Sequence, residues 1–156
     1  MADALAMVQR FEFAMSFAEI QSTHTHLLQM KECTGKIGAI GFCFGGGLTY
    51  AAATLSRVKG RGPDVAVSYY GSPTNNLLGH IDKLECPTMF HYGNTCPEEK
   101  VAEVERAVSG RPGVFFRRYD DAGHASSNWD APSMYKKEAA DLAWSRSLEF
   151  LDQYLR

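Results

Sequence analysis

No apolar run in the sequence approaches the ~20 residues that a membrane span requires, and the first residues lack the basic, apolar and small-residue series of a secretory leader. The expectation is a cytoplasmic chain with no membrane partner. Cysteine is sparse: Cys33, Cys43, Cys86 and Cys96 form neither a CxxC pair nor a Cys/His zinc spacing, so each is read as a separate thiol and no metal is expected. Neither charge sign dominates. Sixteen basic against eighteen acidic residues give a formal charge of -2, without the basic footprint of a nucleic-acid binder. A dinucleotide fingerprint is also missing, because Gly45 and Gly47 are followed by Leu48-Thr49-Tyr50 and the next strand ends without an acidic residue. At 156 residues the chain reads as one domain over 1–156, with apolar content (45%) sufficient for a core.

Periodicity then orders the elements. Phe17, Ile20, Leu27 and Leu28 fall at helical spacing between Phe13 and Met30, with His24 on the same stripe. Lys36–Gly41 reads as a short buried strand entering a glycine-rich turn, followed by an alanine-rich helix over Leu48–Leu55. Val65–Tyr70, Thr88–Tyr92 and Val114–Tyr119 are β-branched or aromatic runs of strand length. Val101, Val104 and Val108 mark one helix between them. Trp144, Leu148, Leu151 and Leu155 mark the packing face of a last helix over Tyr135–Tyr154. Alternation of strands and helices predicts an α/β fold: a parallel sheet of about four strands with helices on both faces, ligands binding at the strands' carboxyl ends.

At the end of the first strand stands Gly41-Phe42-Cys43-Phe44-Gly45-Gly46-Gly47, a nucleophile-elbow pattern with Cys in the nucleophile's place. A nucleophile on a sharp strand-to-helix turn needs small residues two positions to either side, and Gly41 and Gly45 occupy them. The thiol then lies at a helix N-terminus, where the dipole favours the thiolate, and the backbone N–H of Phe44 becomes an oxyanion donor. A buried, inert cysteine is the competing reading. Asp120-Asp121-Ala122-Gly123-His124-Ala125 follows the last strand at the same sheet edge, which makes His124 the candidate base. His24, His26, His80 and His91 form no pairing suited to a metal and read as satisfied or solvated side chains.

These strings, with Tyr69-Tyr70-Gly71, Cys86-Pro87 through His91-Tyr92-Gly93 and the helix bearing Ala143-Trp144, resemble the dienelactone hydrolase family of α/β-hydrolases. The upstream stretch from about Ala4 to Glu32 is similar to the helix that precedes the family's elbow. The resemblance implies hydrolysis of small esters or lactones through a cysteine acyl-enzyme, with Cys43 as nucleophile, His124 as base and no cofactor. The family's acid is an Asp shortly after the third strand; here Gly93-Asn94-Thr95-Cys96-Pro97 offers Asn94 as its stand-in, while Glu98 and Glu99 read as surface charges at a helix start. Tyr70 and Trp129 are candidates for the substrate pocket. Relatives carry early strands, a second oxyanion donor and a substrate-binding arginine ahead of the upstream helix, so the resemblance implies a sheet lacking its first strands. An elbow strand with a bare apolar edge invites pairing, and a homo-oligomer through that edge or the first helix is expected. The alternative is a catalytically impaired remnant serving as an interaction domain.

Overall fold

Glycine and β-branched segments alternate with amphipathic ones along the chain, and the computed structural model, which describes residue 7 and residues 10–156, turns them into one layered sheet. The part of the upstream helix expected from Ala4 lies largely outside the described residues. Helix α1 spans Phe13–Gln29, strand β1 Gly38–Phe42, helix α2 Phe44–Leu55 and strand β2 Val65–Tyr69. A 3₁₀ segment over Thr74–Lys83 leads to strand β3, Thr88–Gly93, helix α3, Glu98–Val108, strand β4, Val114–Tyr119, and helix α4, Lys137–Leu155. All pairings are parallel and the sheet order follows the sequence, β1-β2-β3-β4.

Two glycines of β1 reveal which helices cover which face. A Cβ on Gly41 would strike Gly45 and Thr49 of α2, whereas one on Gly38 would meet Leu151 and Leu155 of α4. Residues of opposite parity point to opposite faces of a strand, so α2 and α4 sandwich the sheet. Strands β2 and β3 are buried throughout, as expected of parallel strands covered on both sides. Tyr50, Val65, Val67, Phe90, Val101, Val104 and Val108 fill the core, the three valines of α3 on the face that their spacing predicts.

Helix α4 departs from the expected pattern. Its buried residues are Ala140, Ala143, Ser147 and Phe150, while Trp144 and Leu148 remain about half exposed. Small side chains let the helix approach the central strands closely; the larger row runs alongside β1, with Leu151 and Leu155 at its Gly38 end and Trp144 at its Phe42 end. The sheet stops there, so the bulkier row has less to pack against. Beneath α4 runs a buried polar chain that apolar periodicity does not announce, with His91 satisfied at both ring nitrogens: Tyr69 OH lies 2.6 Å from Ser147 Oγ, Ser147 Oγ 2.9 Å from His91 Nε2, and His91 Nδ1 2.7 Å from Tyr119 OH. Burial pushes His91 down to about 3, so it is neutral and ties α4 to three strands.

Candidate active site

Cys43 is the single residue between β1 and α2, with φ 55° and ψ -120°, a conformation that costs an L-residue energy and is maintained by its surroundings. Its N–H donates to the Tyr69 carbonyl at 3.0 Å, and its carbonyl accepts from the N–H groups of Gly46 and Ser72, each at 3.0 Å. The close approach is paid at particular glycines. A Cβ on Gly41 would lie 2.1 Å from the Gly45 carbonyl oxygen, one on Gly46 2.7 Å from the Tyr69 oxygen, and one on Gly47 2.7 Å from Pro73. Gly45 meets nothing within 4 Å, so the space expected at position 45 is needed at 46 and 47 instead.

His124 arrives from the loop after β4, 81 residues downstream, with Nε2 2.8 Å from Cys43 Sγ. That loop is gripped by the one after β3. Thr95 donates its N–H and its hydroxyl to the Ala122 carbonyl at 2.9 and 2.8 Å, and the Asn94 N–H donates to the Tyr119 carbonyl at 2.9 Å. Gly93 and Gly123 make the contact feasible: a Cβ on Gly93 would strike the Ala122 oxygen at 2.1 Å, and one on Gly123 the Thr95 hydroxyl at 2.5 Å. The Asn94 amide, expected beside the imidazole, turns to the Asp120 carboxylate instead. Glu98 is engaged by Arg118. Among the described residues, no carboxylate or amide bonds His124 Nδ1. The ring rests against Tyr70, centroids 5.2 Å apart.

The contact is electrically productive. The hydrogen bond to His124 lowers the Cys43 thiol's pKa; burial opposes it, while the imidazolium charge and the Phe44 N–H reinforce it. The same hydrogen bond raises His124, again against burial. Both shifts favour a thiolate–imidazolium pair at a helix N-terminus. The Phe44 N–H faces the sulfur, at the place where an adjoining oxyanion develops. The other thiols differ: burial raises Cys86 and Cys96.

Two clefts flank the pair, with Tyr70 in the wall of both. One, of about 290 Å³, is lined by Phe42, Cys43, Tyr70, Ser127, Trp129 and Asp130. The other, of about 330 Å³, holds His124 with Ser72, Asn75, Cys96 and Lys100. Tyr70 and Trp129 are thus both brought to the thiol's surroundings. Of the remaining histidines, His24 is buried in α1 and desolvation depresses its pKa, and His80 lies on the 3₁₀ segment. No three His, Cys, Asp or Glu side chains cluster in a metal-binding group among the described residues. No helix among them is long and apolar enough to cross a membrane.

The chain is similar to known proteins. The chain is 26% identical over 151 residues to carboxymethylenebutenolidase of Pseudomonas putida, covering 95% of the chain and 61% of the relative. It is 28% identical over 153 residues to the carboxymethylenebutenolidase of Pseudomonas sp. strain P51, covering 96% and 61%. The chain therefore spans about three fifths of the length of the curated relatives it matches. The crystal structure of dienelactone hydrolase from Anabaena variabilis superposes with a TM-score of 0.73 at 20% identity, covering 99% of this chain and 67% of that one, a likeness of fold. A family model, described as the dienelactone hydrolase family, matches residues 3–155, the elbow and the histidine loop included, and by that match the chain belongs to the dienelactone hydrolase family.

Proposed function

We propose that the chain hydrolyses small carboxylic esters or lactones through a cysteine acyl-enzyme, Cys43 being the nucleophile and His124 the base. The observation that carries this reading is the 2.8 Å contact between His124 Nε2 and the sulfur of an elbow cysteine. The names of the relatives point to the same class of bond. Cys43 Sγ attacks the carbonyl carbon, and the negative charge that moves onto the carbonyl oxygen is met by the Phe44 N–H. Collapse expels the alkoxide, which takes the proton from the His124 imidazolium and leaves a thioester on Cys43. With the thiolate consumed, His124 loses the partner that raised its pKa and returns towards the ordinary histidine range. The neutral ring then takes a proton from water, hydroxide adds to the thioester, and collapse releases the carboxylic acid and Cys43. These steps require neither metal nor cofactor.

Asn94 acts in this scheme as a positioning residue, fixing through Asp120 the loop that carries His124, and Tyr70 supports the ring from below. Tyr70 and Trp129 contact the substrate. The four free thiols suit a reducing compartment such as the cytoplasm. A second copy pairs with the open edge of β1, the only strand besides β4 with one neighbour among the described residues.

The test is rapid mixing with p-nitrophenyl acetate. A stoichiometric burst of nitrophenolate followed by steady release, both absent in Cys43→Ala, is the expected result. A second reading, a domain that has lost turnover, draws on His124 Nδ1 having no carboxylate or amide partner among the described residues; a burst with no steady release after it, or no burst at all, selects it.

A further inference from the structure

The cleft beside Cys43 does not end at Trp129. Phe42, Ser127 and Trp129 also line a second hollow of about 340 Å³, whose other walls are Tyr69, Tyr135, Ala140, Asp141 and Trp144. Together the two hollows form a groove from the thiol to the flank of α4, each near the lower end of the size range of ligand pockets. Its walls are aromatic along their whole length, and their ring faces are accessible: Trp129 is 75% exposed and Trp144 48%. Among the described residues, no lysine or arginine lines either hollow. The charged side chains that do are Asp130 and Asp141, and Asp141 is paired with Lys137 one turn earlier on α4. The cleft on the far side of Tyr70 differs in kind, carrying Lys100 beside its polar groups.

We infer that this groove binds the apolar, aryl-bearing portion of a neutral ester, and that it selects against substrates bearing a carboxylate at that end. The inference rests on the ester-hydrolase reading for the identity of the reacting bond, but the groove's ligand class follows from its own walls. Flat rings stacked on Trp129, Trp144 and Tyr135 gain apolar contact with little ordering cost. A carboxylate placed there loses its water, finds no cation among the lining residues and faces Asp130. An acyl or alkoxy arm reaching from Cys43 past Phe42 meets the groove directly, so the position of the thiol and the class of arm are linked.

The sequence contains two tryptophans, Trp129 and Trp144, and both line the groove, so tryptophan emission, excited selectively over tyrosine, reports on its occupancy. The measurement titrates the protein with 4-phenylbutan-2-one, a neutral aryl ketone that cannot be hydrolysed, and with 4-(3-oxobutyl)benzoate, the same ketone with a ring carboxylate. Saturable quenching by the neutral ketone is expected, with the carboxylate weaker by at least about tenfold. Trp144→Ala and Trp129→Ala should each weaken the neutral ketone by about fivefold or more, while Lys100→Ala in the other cleft leaves it within about twofold. Neither tryptophan belongs to the buried core, Trp129 being 75% and Trp144 48% exposed, so their truncation leaves the core intact. Equal or tighter binding of the carboxylate, or fluorescence that neither ketone changes, overturns the inference. A second copy occupying the groove, seen as tryptophan emission that shifts with protein concentration and ignores both ketones, also overturns it. Cys43→Ala retains this binding, whereas the nitrophenyl acetate burst depends on the thiol, so failure of the groove and failure of the proposed chemistry give different results.

Discussion

Cys43 is distinguished from Cys86 and Cys96 by one side chain. Burial alone would raise it, as it raises Cys86 and Cys96; the His124 hydrogen bond reverses the sign. Alkylation of Cys43 by iodoacetamide, followed against pH, should therefore inflect below the ordinary thiol range, and His124→Ala should move the inflection upwards and slow labelling at neutral pH. An unchanged inflection in His124→Ala would refute the pairing. Deacylation follows a different group: after acylation it should rise with pH through a range at or below the ordinary histidine one, because the raised pKa of His124 requires the thiolate and burial alone then acts on the ring. Asn94 makes a subtler case. Its position after Gly93 was legible in the sequence, but its direction was not, because the carboxylate that captures it, Asp120, is 26 residues away and reaches it only through the pairing of β3 with β4. Asn94→Ala should therefore lower the acylation rate by less than about tenfold, with the Cys43 inflection unmoved, whereas an amide bonded directly to the imidazole would shift that inflection.

At the scale of elements, the strands are readable because each is a short run of apolar or β-branched residues: three of the four begin at their expected residue, and β1 begins two residues after Lys36. The 3₁₀ segment over Thr74–Lys83 has only Leu77, Leu78 and Ile81 on its packed side, too short an apolar stripe to mark it in the sequence. Helix α4 shows why a stripe of large apolar residues misled: Ala140, Ala143 and Ser147 attract little notice in a hydrophobic count, yet small residues at that spacing are what permit close docking on a sheet. The elbow's glycines follow the same logic of space. Gly41→Ala or Gly46→Ala forces a methyl group onto backbone atoms and should cost at least about 2 kcal/mol, together with the burst. Gly45→Ala meets open space at the start of α2, and chemical denaturation should find it neutral to stabilising by roughly 0.4–1 kcal/mol. Equal losses at 41, 45 and 46 would mean that the motif's glycines serve something other than the approach of α2 to the sheet.

The whole molecule presents an asymmetric sheet. Its two middle strands are covered on both faces, whereas β1 has one strand neighbour among the described residues and leaves Ile40 and Phe42 about two-fifths exposed. The hydrogen bonds from Asp64 N–H to the Ile37 carbonyl and from Cys43 N–H to the Tyr69 carbonyl show that odd-numbered residues direct their backbone groups to β2. Gly38, Ile40 and Phe42 therefore direct theirs to the open edge. Under a two-fold axis through Ile40, antiparallel pairing of two such edges sets Ile40 against Ile40 and Gly38 against Phe42, every pair of the hydrogen-bonded type. Gly38 brings no side chain to the Phe42 end, so the aromatic groove keeps its mouth. Sedimentation at micromolar concentration should accordingly show a dimer, and Ile40→Lys, which places two like charges face to face across the axis, should give a monomer with unchanged far-UV circular dichroism. A monomer at every concentration would remove the edge-pairing proposal while leaving Cys43, His124 and the groove untouched, since all three are built within one chain.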